Sequence, residues 1–147
     1  MPTIECGTAG QPDLLVGRGP TLPVLIGLDH DLMMAAATRT DAARGALPAL
    51  LDTGSDTTCI DSDLAYALNL PVADQKIVSG VHGRGLVNLH LARIYIPGLD
   101  AVFSGAFAGA GLKAGGQPYT AILGRDFLRH FHLTYDGRTG AVTLSND

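Results

Sequence analysis

Apolar positions along the chain fall in short runs broken by Gly, Pro, Asp and Asn, the pattern of β-strands between turns. Pro20 to Leu28 predicts an early strand, with Pro23 favouring its edge or start. Leu47 to Asp52 predicts a second, and Cys59 to Asp61 begins a third. Lys76 to Gly83 runs apolar into a glycine-spaced tip, and Leu86 to Ile96 returns from it with Val87, Leu89, Leu91, Ile94 and Ile96 in loose alternation. Pro97 and Gly98 mark a turn before a strand over Ala101 to Phe107, followed by a flexible Gly/Ala-rich loop, Ala108 to Gln117. Leu133 to Asp136 and Ala141 to Leu144 flank Gly137 to Gly140, a hairpin signal.

Helical signals are few. Ser62 to Leu68 carries a cap residue and then helix formers, stopped by Asn69 and Pro71. Asp126 can cap a second short helix through Phe127, Leu128 and Phe131. His30 to Ala46 mixes Met33, Met34 and alanines with a polar stretch and is read as a long hairpin connection. Residues 1–18 are expected to be an irregular amino-terminal segment. Many short strands with one or two short helices make a closed all-β barrel the expected fold class.

The 147 residues fit one domain with a single core, 1–147. An apolar content of 46% with 16% charged residues argues for a folded chain rather than a disordered one. A net charge of −4 supplies no basic stripe, so nucleic acid is not an expected partner. No basic segment followed by an apolar core opens the chain, and no apolar stretch has the length of a membrane span. The expectation is a cytoplasmic protein with no membrane span. Glu5 is the only glutamate and Lys76 and Lys113 the only lysines; with the Ala and Gly load, this suggests a GC-rich bacterial coding sequence. Cys6 is placed near a mobile terminus and Cys59 as a small buried residue. A disulfide between them stays open, with two reduced thiols the expectation in a cytosolic protein. His82, His90, His130 and His132 are not at zinc-ligand spacing, so neither a metal nor a cofactor is expected.

The chemistry concentrates at Asp52, Thr53 and Gly54, directly after the apolar Ala49, Leu50 and Leu51. An acid, a small hydroxyl residue and a glycine after a buried strand bring a carboxylate onto a tight turn, where glycine lets the backbone approach a partner closely. A β-strand ending in an ordinary Asp-Thr-Gly turn has the same residues. Two further segments follow in order: the tip Ser79, Gly80, Val81, His82 and Gly83, and the stretch Ile122, Leu123, Gly124, Arg125 and Asp126.

Acid turn, glycine-tipped hairpin, and apolar-apolar-Gly-Arg-Asp together resemble the retropepsin-like aspartic proteases over about residues 47 to 132. The resemblance implies a homodimeric acid-protease barrel with a flap hairpin. It implies an aspartic endopeptidase in which Asp52 of each of two subunits forms the dyad, sharing one proton and activating a water on a peptide or protein substrate. Only one Asp-Thr/Ser-Gly occurs, so the second acid has to come from a second chain. The resemblance further gives Thr53 a bond to the partner backbone beneath the acids and Gly54 a carbonyl facing substrate. It makes Ser79, Gly80, Val81, His82 and Gly83 the mobile cover, with His82 where retroviral relatives carry glycine, either touching substrate or simply turning the chain. Ile122, Leu123 and Gly124 become the strand packed behind the acid turn, and Arg125 pairs with Asp56, a residue also placed at the substrate. The chain continues past the last helix, where retroviral proteases end. The competing expectation is a catalytically inactive dimerisation or peptide-binding module on the same fold.

Overall fold

Strands whose apolar runs are too short to bury a surface alone pack here around one shared core. The computed structural model describes residues 3–28, 46–80 and 83–146. The expected long connection before Leu47, and Val81 and His82 of the hairpin tip, lie outside the described residues. Described in chain order are β1 (Thr3–Glu5), α1 (Pro12–Arg18), β2 (Thr21–Gly27), β3 (Leu47–Leu51), β4 (Cys59–Asp61), α2 (Ser62–Ala67), β5 (Val72–Gly80) and β6 (Gly83–Ile96). A 3-10 turn (Pro97–Leu99) then leads to β7 (Ala101–Ala110), β8 (Ala121–Leu123), α3 (Arg125–Leu128), β9 (His132–Asp136) and β10 (Ala141–Ser145).

The larger sheet has the order β2-β3-β8-β4-β7-β6-β5, and β2 also pairs with β6. Hydrogen bonding therefore runs from β2 through β3, β8, β4, β7 and β6 back to β2, leaving β5 as the outer strand of the β5–β6 hairpin. The smaller sheet has the order β1-β10-β9. Their common core draws Leu51 and Leu123 from the larger sheet and Val142 and Leu144 from the smaller one. Phe127 of α3, 2% exposed, stacks on Phe103 and Phe131 at centroid distances of 5.6 and 4.8 Å. α3 is thereby fixed between the two sheets.

Residues 1–18 are not irregular. β1 pairs with β10 through Ile4 and Leu144, and α1 starts on Pro12, whose missing N–H costs nothing in a first turn. Leu15, 2% exposed, is the residue of α1 that anchors it, and one anchor leaves no helical periodicity to detect. Cys6 is 2% exposed rather than on a loose end, and burial, helped by Glu5, pushes its thiol up to about 12. Both cysteines are free.

Two boundaries also move. β7 continues to Ala110, because β4 pairs with it in parallel from Cys59–Ala108 to Asp61–Ala110, so the Gly/Ala-rich loop is shorter than expected. The cap of α2 is Asp61, one residue before Ser62. Its Oδ2 accepts from Leu64 N at 3.1 Å, while Oδ1 accepts from Leu112 N and Lys113 N at 3.1 and 3.0 Å. A buried carboxylate with three donors is well satisfied, and it ties the 111–117 turns to the start of α2. Among the described residues no helix is long and apolar enough to cross a membrane.

Candidate active site

β3 runs to Leu51, and its parallel ladder to β8 is completed by Asp52 N donating to Leu123 O at 2.9 Å. β3 and β8 run parallel in register, Leu50 beside Ile122 and Leu51 beside Leu123, so Ile122, Leu123 and Gly124 lie directly behind the acid turn. At the turn, Gly54 N donates to Asp52 Oδ1 at 2.8 Å and Ser55 N to Asp52 O at 3.3 Å. A Cβ on Gly54 would stand 3.1 Å from Asp52 Oδ1, so a larger residue here would press on the carboxylate folded over the turn. Asp52 is partly exposed, and Thr53 and Gly54 are exposed at the turn's outer side.

The far side of the turn is clamped by Asp126, expected only as a helix cap and motif end, and by Thr58, which the sequence did not single out. Thr58, 2% exposed, donates N–H to Asp126 Oδ2 at 3.0 Å and its hydroxyl to Asp126 Oδ1 at 2.7 Å. The same hydroxyl oxygen accepts from Gly124 N at 3.1 Å. Arg125 N donates to Ser55 O at 2.8 Å, and Asp126 N to Asp56 O at 3.3 Å. Thr58 and Asp126 are 68 residues apart, and only the fold brings them together. Asp126 also accepts from Phe127 N at 2.8 Å, so it serves the first turn of α3 from inside rather than as the preceding cap.

Arg125 corrects one expectation. Its guanidinium Nη1 donates to Thr53 O at 2.6 Å, and no ion pair forms with Asp56. The carbonyl on the turn is a fixed acceptor, whereas an ion pair to the exposed Asp56 would gain little in water. Arg125→Ala should therefore lower stability by about 1–2 kcal/mol, as for an exposed charge-assisted hydrogen bond, while Asp56→Ala should change it by no more than a few tenths. Urea unfolding of the two variants checks this; equal losses would restore the pairing of the two side chains.

The hairpin faces the turn across a cavity of about 420 Å³. β5 and β6 pair out to Gly80 and Gly83, with Ser79 opposite Arg84 and Ile77 opposite Leu86. Ser55, Asp56 and Thr57 line one wall, Lys76, Ile77, Val78 and Ser79 the other, and Cys59 and Ala108 to Ala110 the floor. Of the predicted residues, Asp56 and Ser79 meet at this cavity; Asp52 and Gly83 do not line it. Ile77 and Leu86 are 57% and 63% exposed, an apolar pair on the outer hairpin. Lys76 and Cys59 were legible only as strand residues, since which face a strand turns to a cavity depends on its register.

Cys59 is not an activated thiol. Burial pushes it up to about 11, aided by the charges of Asp52 and Asp126 and opposed by a backbone hydrogen bond with Ile122. A thiol so raised carries almost no thiolate near neutrality. His90 is fully buried at the base of the hairpin, edge-on to the Tyr66 ring at 5.2 Å. Among the described residues no three of His, Cys, Asp and Glu gather as a metal-holding group. The chemistry this arrangement offers is that of a carboxylate on a braced turn, whose following residues line a cavity of about 420 Å³.

No protein-family model matches the sequence, and no curated protein does. Among solved structures, a retropepsin-like aspartic protease from Rickettsia conorii is 13% identical, with a TM-score of 0.51, covering 97% of this chain and 90% of that one. EIAV protease complexed with the inhibitor HBY-793 is 23% identical over 75% of this chain and 85% of its own, with a TM-score of 0.48. Simian foamy virus (mac) protease is 13% identical over 74% of this chain and 91% of its own, with a TM-score of 0.47. The Rickettsia likeness spans nearly both chains. The fold is retropepsin-like.

Proposed function

We propose that two copies of this chain form an aspartic endopeptidase, each contributing Asp52 to a shared dyad. The observation that carries the reading is the braced acid turn: Asp52 is held by Gly54 N and backed by the parallel β3–β8 pair, and the residues that follow it, Ser55 to Thr57, face the β5–β6 hairpin across a cavity. On this reading the returning pairings of the larger sheet make the acid-protease barrel, and the hairpin is its flap. Hydrolysis needs one carboxylate as base on a water and a second, protonated, to polarise the scissile carbonyl. Two carboxylates brought together cannot both ionise, so they share one proton. Thr53 and Gly54, exposed beside Asp52, would meet the partner and the substrate backbone respectively. An extended peptide would lie strand-like against Ser79, Gly80 and Gly83, with Ile77 supplying apolar contact. No cofactor takes part in this scheme.

Cleavage of a pool of unfolded peptides, blocked by a statine-type transition-state mimic, tests the reading. A pure, folded protein with no such activity at any concentration would leave the inactive-module alternative standing. The pH profile should be bell-shaped with its maximum in mild acid. Activity falls on the alkaline side as the shared proton is lost and on the acid side as the second carboxylate gains one. Rates of single-peptide cleavage across pH check this, and a rate climbing steadily into alkali would contradict it.

A further inference from the structure

We propose that the base of the hairpin holds a ligand site separate from the acid turn, which takes a small uncharged amide with an apolar body. It is a cavity of about 260 Å³ between α2 and β6, walled by Ser62, Tyr66, Asn88 and His90 and reaching Gly109 of β7. The residue that points to a ligand is His90. Buried positions alternate along β6 as His90, Ala92, Ile94 and Ile96, so an imidazole stands where the row otherwise carries apolar side chains. It is fully buried, and among the described residues neither Nδ1 nor Nε2 has a hydrogen-bond partner. A buried polar group without a partner carries a cost that folded chains normally avoid. Gly109 supplies room beside it: a Cβ there would stand 3.0 Å from His90 Nε2 and 3.4 Å from Ser62 Cβ. Glycine thus leaves a cradle against the edge of the imidazole.

The other walls decide the chemistry. Gln75 Nε2 donates to Asn88 Oδ1 at 3.1 Å, and Asn88 Nδ2 donates to the Tyr66 hydroxyl oxygen at 2.7 Å. This chain ties both strands of the hairpin to α2. Because the Tyr66 oxygen is the acceptor, its hydroxyl hydrogen stays free to donate. A neutral imidazole offers one donor and one acceptor nitrogen, and the Ser62 hydroxyl can act either way. The matching ligand has to accept from Tyr66 and be able to donate to a bare ring nitrogen. An amide group carries both functions on neighbouring atoms. Among the described residues no Lys, Arg, Asp or Glu lines the cavity, so a carboxylate or an ammonium would lose its water without gaining a counter-charge. Leu86 and Val87 complete the lining with apolar surface. The volume suits one ring with one substituent, since pockets for drug-sized molecules begin at about 300 Å³. The site is independent of the endopeptidase reading.

Benzamide is the probe, titrated into the isotope-labelled chain and followed by NMR. Saturable shifts should centre on the backbone signals of Ser62, Tyr66 and Asn88. A Kd of roughly 1 mM is expected, ordinary for a ligand of about nine non-hydrogen atoms. Benzoate, the same shape with a charge and no N–H, should bind more weakly by roughly tenfold or more. His90→Leu should remove binding while the thermal midpoint stays at or above that of wild type, because leucine is of similar volume and brings no unpaired polar atom into the core. Tyr66→Phe deletes only the hydroxyl of a ring that is 55% exposed. It should weaken binding about fivefold, from one hydrogen bond lost, and it keeps the test decisive if the His90 variant does not fold. Shifts centred instead on Ser55, Thr57 and Ser79 would put benzamide in the cavity beside the acid turn and overturn this site. Equal binding of benzoate overturns the amide assignment. No saturable binding, or undiminished binding in either folded variant, overturns the site itself.

Discussion

Asp52→Asn should reduce peptide cleavage by roughly 10³-fold or more, the scale of a lost general acid–base group, while the chain folds and pairs as before. The fold should survive because the hydrogen bond made by the Asp52 side chain within its own chain is an acceptance: Gly54 N donates to Oδ1 at 2.8 Å, and an asparagine amide oxygen can take that bond. Asparagine has nearly the same volume and carries no proton that the dyad can share. What is removed is the ionisable group and nothing else. The consequence peculiar to a shared site appears on mixing. If wild type is equilibrated with a ninefold excess of Asp52→Asn, random pairing leaves about a tenth of wild-type chains in fully wild-type dimers, and activity should fall to that fraction. Dilution of wild type alone should lower activity per chain once the dimer dissociates. Activity per chain that is unchanged by both dilution and mixing would place the whole catalytic group within one chain.

The acid turn was legible because its two requirements are local. Leu47 to Leu51 is an apolar run, and Asp52 to Gly54 supplies an acid, a hydroxyl and a glycine in adjacent positions, so no distant contact had to be inferred. β8 was legible for the same reason in Ile122 and Leu123. The hairpin strands and β9–β10 were carried by turn chemistry, as in Gly137 to Gly140. Misreadings arose where one residue carries an element. α1 is held by Leu15 against the core, and Cys6 is buried because β1 pairs with β10, whose strand lies at the other end of the chain. Arg125 was expected at the Asp56 side chain, yet the carbonyl of Thr53 is the better acceptor; which oxygen a guanidinium reaches is a matter of placement that spacing does not encode. The Thr58–Asp126 bonds were hidden for a further reason. Each residue has a satisfactory local role, a threonine just before β4 and a helix-start aspartate, and neither advertises a partner.

Gly124→Ala should be the most disruptive single methyl in the molecule's site, at about 3 kcal/mol or more, toward the upper end of overpacking losses. The backbone at Gly124 is ordinary, with φ −88° and ψ −169°, so alanine meets no conformational penalty there. The cost is wholly steric. A Cβ would stand 2.7 Å from Thr57 O and 2.8 Å from Ser55 O, contacts with backbone atoms that no rotamer change can relieve. Relief requires the 55–57 segment to move away from the end of β8. That movement would stretch the bonds from Arg125 N to Ser55 O and from Gly124 N to the Thr58 hydroxyl, so the clamp behind Asp52 loosens as a unit. Gly105→Ala is the matched control, because its added methyl would meet Phe107 at an ordinary 3.5 Å. Urea unfolding of the two variants should separate them by several-fold in free-energy loss, with cleavage abolished in the first and retained in the second. A Gly124→Ala protein within 0.5 kcal/mol of wild type, about the usual spread of a surface substitution, would show that β8 does not approach the acid turn this closely. The bracing proposed for Asp52 would then have to come from elsewhere.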